Sequence, residues 1–326
     1  MSQSADNWID RRVMRRKLSF WRIAAIVMAL LAGIAGFAYA NGGFGQSNST
    51  PHIAKVRIEG TITEDERLLA LLKKVGETDS VMGVILAIDS PGGTTAGGEA
   101  IYDAVRELAG KKPVVAQVGT LAASAGYMIA SASDHIVARK SSIVGSIGVL
   151  FQYPDVSVLL NNLGVKVEAI KSSPMKAEPN PFNPASEDAK AMIRRMILDS
   201  YDWFVSIVDE RRPLDRAQVL ALADGSVFTG RQALQNKLID ELGGEDAAIA
   251  WLNTKNIGEK LDVIEWKPKS ETSPWWLSAK MSSALLRLAG LGNGESAVLS
   301  EIIPQHLFSN GLVSVWDVDS GKNGRN

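Results

Sequence analysis

The sequence predicts an α/β domain carried behind one N-terminal membrane-spanning helix. From residue 53 onward, short apolar runs alternate with amphipathic helix-like segments, the pattern of strands feeding helices. Ahead of them, Ile23 to Ala40 carries no charge and follows a dense basic cluster. Between the two, Asn41 to Pro51 is rich in Gly, Ser and Asn and reads as a flexible tether.

Composition narrows the function classes. With 326 residues, 46% of them hydrophobic, the chain can bury a substantial core. A net charge of −1 provides no long-range field to attract nucleic acid, which is not expected as a partner. The absence of cysteine excludes disulfides, a thiol nucleophile and cysteine-ligated zinc, and suits an oxidising compartment. No His-x-x-x-His spacing occurs, so a metal site is not expected; a nucleotide cofactor is not expected either.

At the N-terminus, Arg11, Arg12, Arg15, Arg16, Lys17 and Arg22 flank the apolar run. Roughly 18 uncharged residues just cross a hydrocarbon core about 30 Å thick, and Phe20 and Trp21 extend the run at one interface. This assigns 1–19 to a cytoplasmic basic tail and 20–40 to a signal-anchor. Residues 41–52 are the tether, on the side away from the cytoplasm. Two other readings stay open: a cleaved signal peptide, because Ala38-Tyr39-Ala40 has the A-x-A form, and a buried core helix. Gly33 and Gly36 are one residue short of the GxxxG spacing, so they give no evidence for helix dimerisation.

Ile53–Ile58 alternates with period two and predicts a strand; Thr63 or Glu64 to Lys74, acidic first and basic last, predicts a helix. Gly83–Asp89 is a buried strand ending in a Pro91-Gly92-Gly93 turn, and Gly97–Ala109 is a helix. Pro113–Val118 is the next strand, leading to a short helical stretch from Ser124 to Ala132. Further strands are expected at His135–Ala138, Gly148–Phe151 and Lys166–Ile170, with a helix over Val156–Leu163 and a long one from Ser186 to Arg211.

Two motifs carry chemistry: Leu121-Ala122-Ala123-Ser124-Ala125-Gly126-Tyr127 and Ser173-Pro174-Met175-Lys176-Ala177-Glu178-Pro179. A serine hydroxyl needs a base to attack at neutral pH, and a lysine serves only when burial populates its neutral amine. Pro174, Met175, Ala177 and Pro179 give Lys176 apolar neighbours, while an inward Glu178 would oppose that effect. A serine after a strand and at a helix start would sit beside unpaired backbone N–H groups, the material of an oxyanion hole. Gly93 is a candidate second donor, because a side chain there would block the substrate carbonyl. Taken singly, Ser124 reads as a helix-packing serine, Lys176 as a solvated lysine, and Gly92 and Gly93 as a tight turn; only the constellation of motifs reverses this. A Ser-His-Asp triad would need one of His52, His135 and His306. His52 lies in the tether and His306 in the C-terminal extension, and His135 reads as a strand-edge residue.

With Ser90-Pro91-Gly92-Gly93, Gly145-Ser146-Ile147-Gly148-Val149, Gly225 to Ala233 and Leu238 to Gly244, these motifs resemble the SppA-type signal peptide peptidases of the Clp/crotonase superfamily. The resemblance implies a Clp/crotonase-like fold of strand-strand-helix units over 53–260, with Ser124 as nucleophile and Lys176 as general base. It also implies oxyanion donors on the backbones of Gly93 and Ala125, and a Ser146 hydroxyl that holds the lysine amine. It further implies a bacterial cell-membrane protein facing the periplasm or exterior, a homo-oligomer whose dyad is completed between protomers, and released signal peptides or other hydrophobic peptides as substrates. Ala125 stands where the family usually has Gly, and Asn236-Lys237 where it usually has Leu-Gly. The alternatives are an inactive membrane scaffold or peptide-binding protein of the same fold, and an acyl-CoA enzyme, which an exported location disfavours. Residues 261–326 form a C-terminal extension. Within it, Pro274 to Leu288 reads as an amphipathic helix that packs on a neighbour or lies on the lipid bilayer, and Ser320–Asn326 reads as disordered.

Overall fold

The computed structural model describes residues 50–258 and 260–268, the strand 313–315, and Trp21, Ala24, Val27, Met28 and Gly33. Those five N-terminal positions are helical; the rest of the expected anchor, the amphipathic helix and the C-terminal tail lie outside the described residues. Among the described residues no helix is long and apolar enough to cross a membrane. The chain divides into two compact units, 1–49 with 270–293 and 50–269 with 294–326, and the sheet with its helices belongs to the second.

The period-two run forms strand β1 (His52–Ile62), followed by helix α1 (Glu66–Glu77), strand β2 (Val81–Thr94) and helix α2 (Thr95–Ala109). Strand β3 (Val114–Ala123) and the short helix α3 (Ala125–Ser131) complete the third strand-helix unit. β1, β2 and β3 are parallel neighbours, with Val56 opposite Leu86 and Leu86 opposite Ala116. Because side chains alternate across a strand, Val84, Leu86 and Ile88 enter one apolar cluster while Ile85 enters the other, so both faces of β2 are covered. This is why Val84–Ile88 reads as a continuous apolar run and not as an alternation.

β3 forks at its outer edge. Its first half pairs with β4 (His135–Ala138) and its second half with β5 (Ile143–Gly145), so the sheet splits into two branches there. After β5 come a short helix α4 (Ser157–Asn162), the long helix α5 (Glu187–Arg211) and helix α6 (Arg216–Leu222). Strand β6 (Val227–Thr229) runs antiparallel to β5, helix α7 (Gly230–Gln235) follows, and β7 (Glu241–Leu242) extends the β4 branch. Helix α8 (Glu245–Asn253) covers the second apolar cluster, β8 (Asp262–Trp266) borders β1, and β9 (Val313–Val315) lies antiparallel on the end of β2.

Several expectations hold to within two or three residues. Asp65 caps α1 by accepting from the backbone N–H groups of Arg67 and Leu68, and Ser186 caps α5 by accepting from Ala189. Others are corrected. Pro91-Gly92-Gly93 does not turn the chain: β2 continues through it to Thr94, with Gly92 and Gly93 opposite Thr61 and Ile62 across an irregular register. Gly148–Phe151 is not a strand, because β6 already occupies the edge of β5. Lys166–Ile170 is exposed throughout and joins no sheet; its alternation reflects a Lys166–Glu168 pair in solvent. His52 is not in a tether but opens β1, fully buried, with Nδ1–H donating to the Thr50 carbonyl at 2.9 Å and Nε2 accepting from the Trp266 indole at 3.1 Å.

One ion pair, its arginine buried and its aspartate at the surface, ties the end of α5 to the β4 branch. Arg212 donates to both Asp240 oxygens at 3.0 and 2.8 Å and to the Lys237 carbonyl at 2.9 Å, while Asp240 also accepts from the Ile136 N–H at 2.8 Å. Burial works against the guanidinium charge, but the Asp240 bonds leave its pKa raised overall. Tyr127 of α3 donates to Leu238 O at 2.8 Å, and its burial pushes the phenol well up from its ordinary range. The short helix bearing the serine motif is thus fixed to the same segment as the end of α5.

Lys237 follows α7 with φ 58°, the left-handed cap usually filled by glycine. Lys237→Gly should therefore raise stability by about 0.5–1 kcal/mol, read as a higher urea midpoint at unchanged slope. At Asp65, burial raises the carboxyl pKa but the Arg67 and Leu68 hydrogen bonds outweigh it, leaving the pKa lowered. Its capping stabilisation is then present above the unfolded aspartate pKa of about 3.9 and lost as pH falls through the lower folded value. Asp65→Ala should cost about 1 kcal/mol at neutral pH, with the difference from the parent chain shrinking only below about pH 4 in urea titrations.

Candidate active site

The site forms where β3 and β5 end together beside the last residues of β2. Ser90 lies opposite Ala122, and Ala123 opposite Gly145, so the next residue of β3 emerges between the two neighbouring strand ends. That residue is Ser124, at φ 58° and ψ −121°, a conformation that costs a non-glycine residue about 1–3 kcal/mol. The abrupt change of direction lets a strand pass straight into α3. Ser124 N–H donates to Gly145 O at 2.8 Å, which fixes the turn, and its hydroxyl makes no capping bond to the helix it heads. Ser124 is buried, its turn is strained, and the local backbone leaves its hydroxyl unused, a placement compatible with a strand-to-helix elbow.

The glycines around it have steric causes. A Cβ on Gly98 would lie 3.1 Å from Ala125 Cβ and 3.3 Å from Met128 Sδ, so α2 and α3 are in direct contact. Ala125, which stands where the resemblance leads one to expect glycine, places its methyl against Gly98. On β2, the Ser90 hydroxyl donates to Gly60 O at 2.6 Å and accepts from the Gly92 N–H at 3.1 Å, pinning the start of the Gly92-Gly93 segment. A Cβ on Gly93 would fall 1.8 Å from Ile62 O, so only glycine allows β1 and β2 to pair there. Gly93 therefore has a packing reason to be glycine independent of any substrate.

Ser146 follows Gly145 at φ 53°, buried, with its N–H donating to Ser226 O at 2.7 Å. Ser226 immediately precedes β6, the strand that closes against β5, so the Gly225-to-Ala233 motif positions Ser146. Sequence reasoning gave neither Ser90 nor Ser226 a role. The only signal was their place beside glycines, which does not reveal a contact partner.

Ser124, Ala125, Gly93 and Ser146 thus converge at the strand ends. Lys176 does not join them by any bond. It is exposed, in a stretch without regular structure, and its ammonium has no hydrogen-bond or ion-pair partner among the described residues. The carboxylate of Glu178 is turned to Lys171 and Asn180, not to Lys176, and the hydrogen bond from Lys171 holds its pKa below the usual range. Ala177 has φ 59°, so the backbone bends sharply just after the lysine.

His135 lies at the other end of the sheet, opposite Val115 at the start of β3. It stacks on Trp251 at 4.9 Å and faces Glu241 at 3.3 Å, so it is no base for Ser124. Among the described residues no cluster of His, Cys, Asp or Glu could hold a metal ion.

The profile of peptidase family S49 matches residues 106–257, and that of the Clp protease family matches residues 54–144. A protein of Enterococcus faecium named for a signal peptide peptidase, SppA, is 32% identical over 257 residues, covering 72% of each chain. A Synechocystis protein named as a protease is 36% identical over 211 residues, 64% of this chain and 76% of its own. The chain belongs to peptidase family S49. This is a family of serine peptidases, and the SppA resemblance seen in the motifs is borne out. A third relative, named as a protease in Methanocaldococcus jannaschii, is 38% identical over 196 residues, 60% of this chain and 63% of its own length. The mixed sheet flanked by helices is that of a Clp-type domain.

Replacing Gly93 by Ala should separate β1 from β2 at Ile62. The expected result is a lower melting temperature. An unchanged melting temperature would show that the Ile62 approach is not as tight as 1.8 Å implies.

Proposed function

We propose that this chain is a membrane-tethered serine endopeptidase. It cleaves released signal peptides or other unfolded hydrophobic peptides through an acyl-enzyme on Ser124. The observation that carries the reading is the strained, uncapped Ser124 at the head of α3, one strand away from Gly92-Gly93. In this reading the neutral Lys176 amine accepts the Ser124 proton as Oγ attacks the scissile carbonyl carbon. The resulting oxyanion is held by the N–H groups of Gly93 and Ala125. The lysine ammonium then protonates the departing amine, leaving an ester on Ser124. A water molecule, deprotonated by the same amine, attacks that ester and releases the acid product, and the proton returns to Ser124. Ser146 orients the amine.

The exposure of Lys176 supports a homo-oligomer in which a neighbouring copy completes the dyad. Its segment also exposes Val158, Leu159, Leu163, Val165 and Ile170, a large apolar group for a solvated surface. Covering this segment would supply the burial that a lysine base needs. The proposed organisation keeps 1–19 cytoplasmic, 20–40 in a bacterial cell membrane, 41–52 as tether, 53–260 as the catalytic domain outside, and 261–326 as an extension. The apolar run and its basic flank support it.

A serine-reactive acylating probe tests the chemistry by mass spectrometry. The adduct should map to Ser124, disappear in Ser124→Ala, and form about 10²–10⁴-fold more slowly in Lys176→Ala. No adduct on the folded, oligomeric parent chain would favour the scaffold alternative. Mixing the two inactive variants should restore peptide hydrolysis if the dyad spans protomers, whereas continued inactivity of mixed oligomers would place both residues in one chain.

A further inference from the structure

β3 does not keep one register along β2. Ile88 stands opposite Val118 but Ser90 opposite Ala122, so the single residue Asp89 faces three on β3: Gly119, Thr120 and Leu121. The two extra residues are folded into β3 where it changes partner, Val118 being the last residue paired with β4 and Leu121 the first paired with β5. An even number preserves the alternation, so side chains beyond the bulge keep their faces, whereas a slip of one residue would exchange them. What changes is height. In its first register β3 would bring position 124 level with Thr94; the bulge draws it back two residues, about 6.6 Å, to the level of Gly92.

Polar side chains anchor the bulge from both sides. On β2, Asp89 Oδ1 accepts from the Leu121 N–H at 3.1 Å, and a Cβ on Gly119 would lie 3.3 Å from Asp89 Oδ2, so the carboxylate rests against the bulge backbone. Opposite it, the buried Ser142 hydroxyl donates to the Gly119 carbonyl at 2.6 Å and accepts from the Arg139 N–H at 3.1 Å. Each anchor adjoins a group that fixes the serine site. Asp89 precedes Ser90, whose hydroxyl holds the Gly92 N–H, and Ser142 leads into β5, whose Gly145 carbonyl accepts from the Ser124 N–H. We propose that Asp89 and Ser142 are positioning residues: together they hold the two-residue bulge and so set Ser124 level with Gly92-Gly93. The proposal rests on the peptidase reading of this site and adds what fixes the distance between its nucleophile and its oxyanion donors. Asp89 is exposed and outside the apolar clusters, so its loss acts on the path of β3 and leaves the core packing in place.

The test uses the full chain and the serine-reactive acylating probe, with the maximal acylation rate and the half-saturating probe concentration measured separately. Asp89→Ala should lower the maximal rate about 10- to 100-fold and leave the half-saturating concentration within about 2-fold, because the binding contacts remain while the attacking oxygen is misplaced. Asp89→Asn keeps a side-chain oxygen for the Leu121 N–H and should recover most of the rate. Ser142→Ala should also be slow, and the double variant should lose less than the two single losses combined, since both anchors hold one bulge. An Asp89→Ala chain as fast as the parent, an Asp89→Asn chain as slow as Asp89→Ala, or a loss confined to the half-saturating concentration would overturn the proposal. Amide hydrogen exchange reads the same geometry without catalysis: at Leu121 and Ser124 it should quicken at least about 10-fold in Asp89→Ala and stay slow in Asp89→Asn. If the parent chain is not acylated while this exchange pattern appears, the peptidase reading fails and the anchored bulge stands. If the parent is acylated and exchange at Ser124 is unchanged in Asp89→Ala, the anchor alone fails.

Discussion

The left-handed backbone at Ser124 is the constraint on which the rest of the site depends. Had β3 continued straight, it would have stayed paired with both neighbours and buried its edge. Instead, a positive φ at one residue turns the chain into α3, presents a hydroxyl that the helix does not use, and ends the pairing with β2 after Ser90. The same turn frees the edge of β2 along Gly92–Thr94, where β9 pairs instead. Strain of about 1–3 kcal/mol at one position persists because its surroundings determine it. Ser124 N–H is bonded to Gly145, α3 is held to Leu238 by Tyr127, and Ala125 is pressed against Gly98.

Those surroundings are secured by close backbone contacts more than by charges. Gly93 against Ile62 leaves no room for a methyl group, and Ser90 bridges Gly60 and Gly92 where β1 and β2 lose their regular register. Arg212 with Asp240 is the exception. This well-coordinated pair joins the end of α5 to the β4 branch, and removing Asp240 would leave the buried Arg212 guanidinium charged and poorly solvated. The exposed pairs, such as Arg57 with Glu59 and Lys111 with Glu107, contribute little by comparison.

How much of this was legible depended on whether the signal was local. The strands of the central sheet were readable because burial on both faces demands apolar runs, and the start of α5 at Ser186 because a helix start needs a local acceptor; the first helix begins two or three residues later than its acidic run suggests, after the cap at Asp65. Pro91-Gly92-Gly93 was misread as a turn. Its glycines answer to the carbonyl of Ile62, some thirty residues earlier, and no local pattern shows that contact. The strand expected over Lys166–Ile170 failed for the opposite reason: its alternation was genuine, but no sheet edge was available to it. β6, β7 and β8 were too short, or too plain in pattern, to be distinguished from loops.

The sequence by itself determined the alternating α/β order, the absence of thiol chemistry, and an ordered set of motifs that points to the family, because residue type and local pattern suffice for each. Tertiary structure alone decided that Ser124, Ala125, Gly93 and Ser146 meet at one set of strand ends while Lys176 stays outside, exposed and unbonded to them. It alone revealed that the distant segment Val313–Val315 lies beside Gly92–Thr94. Both outcomes depend on strand register and on which edge each strand leaves vacant, and these are set by pairing between segments far apart in the chain.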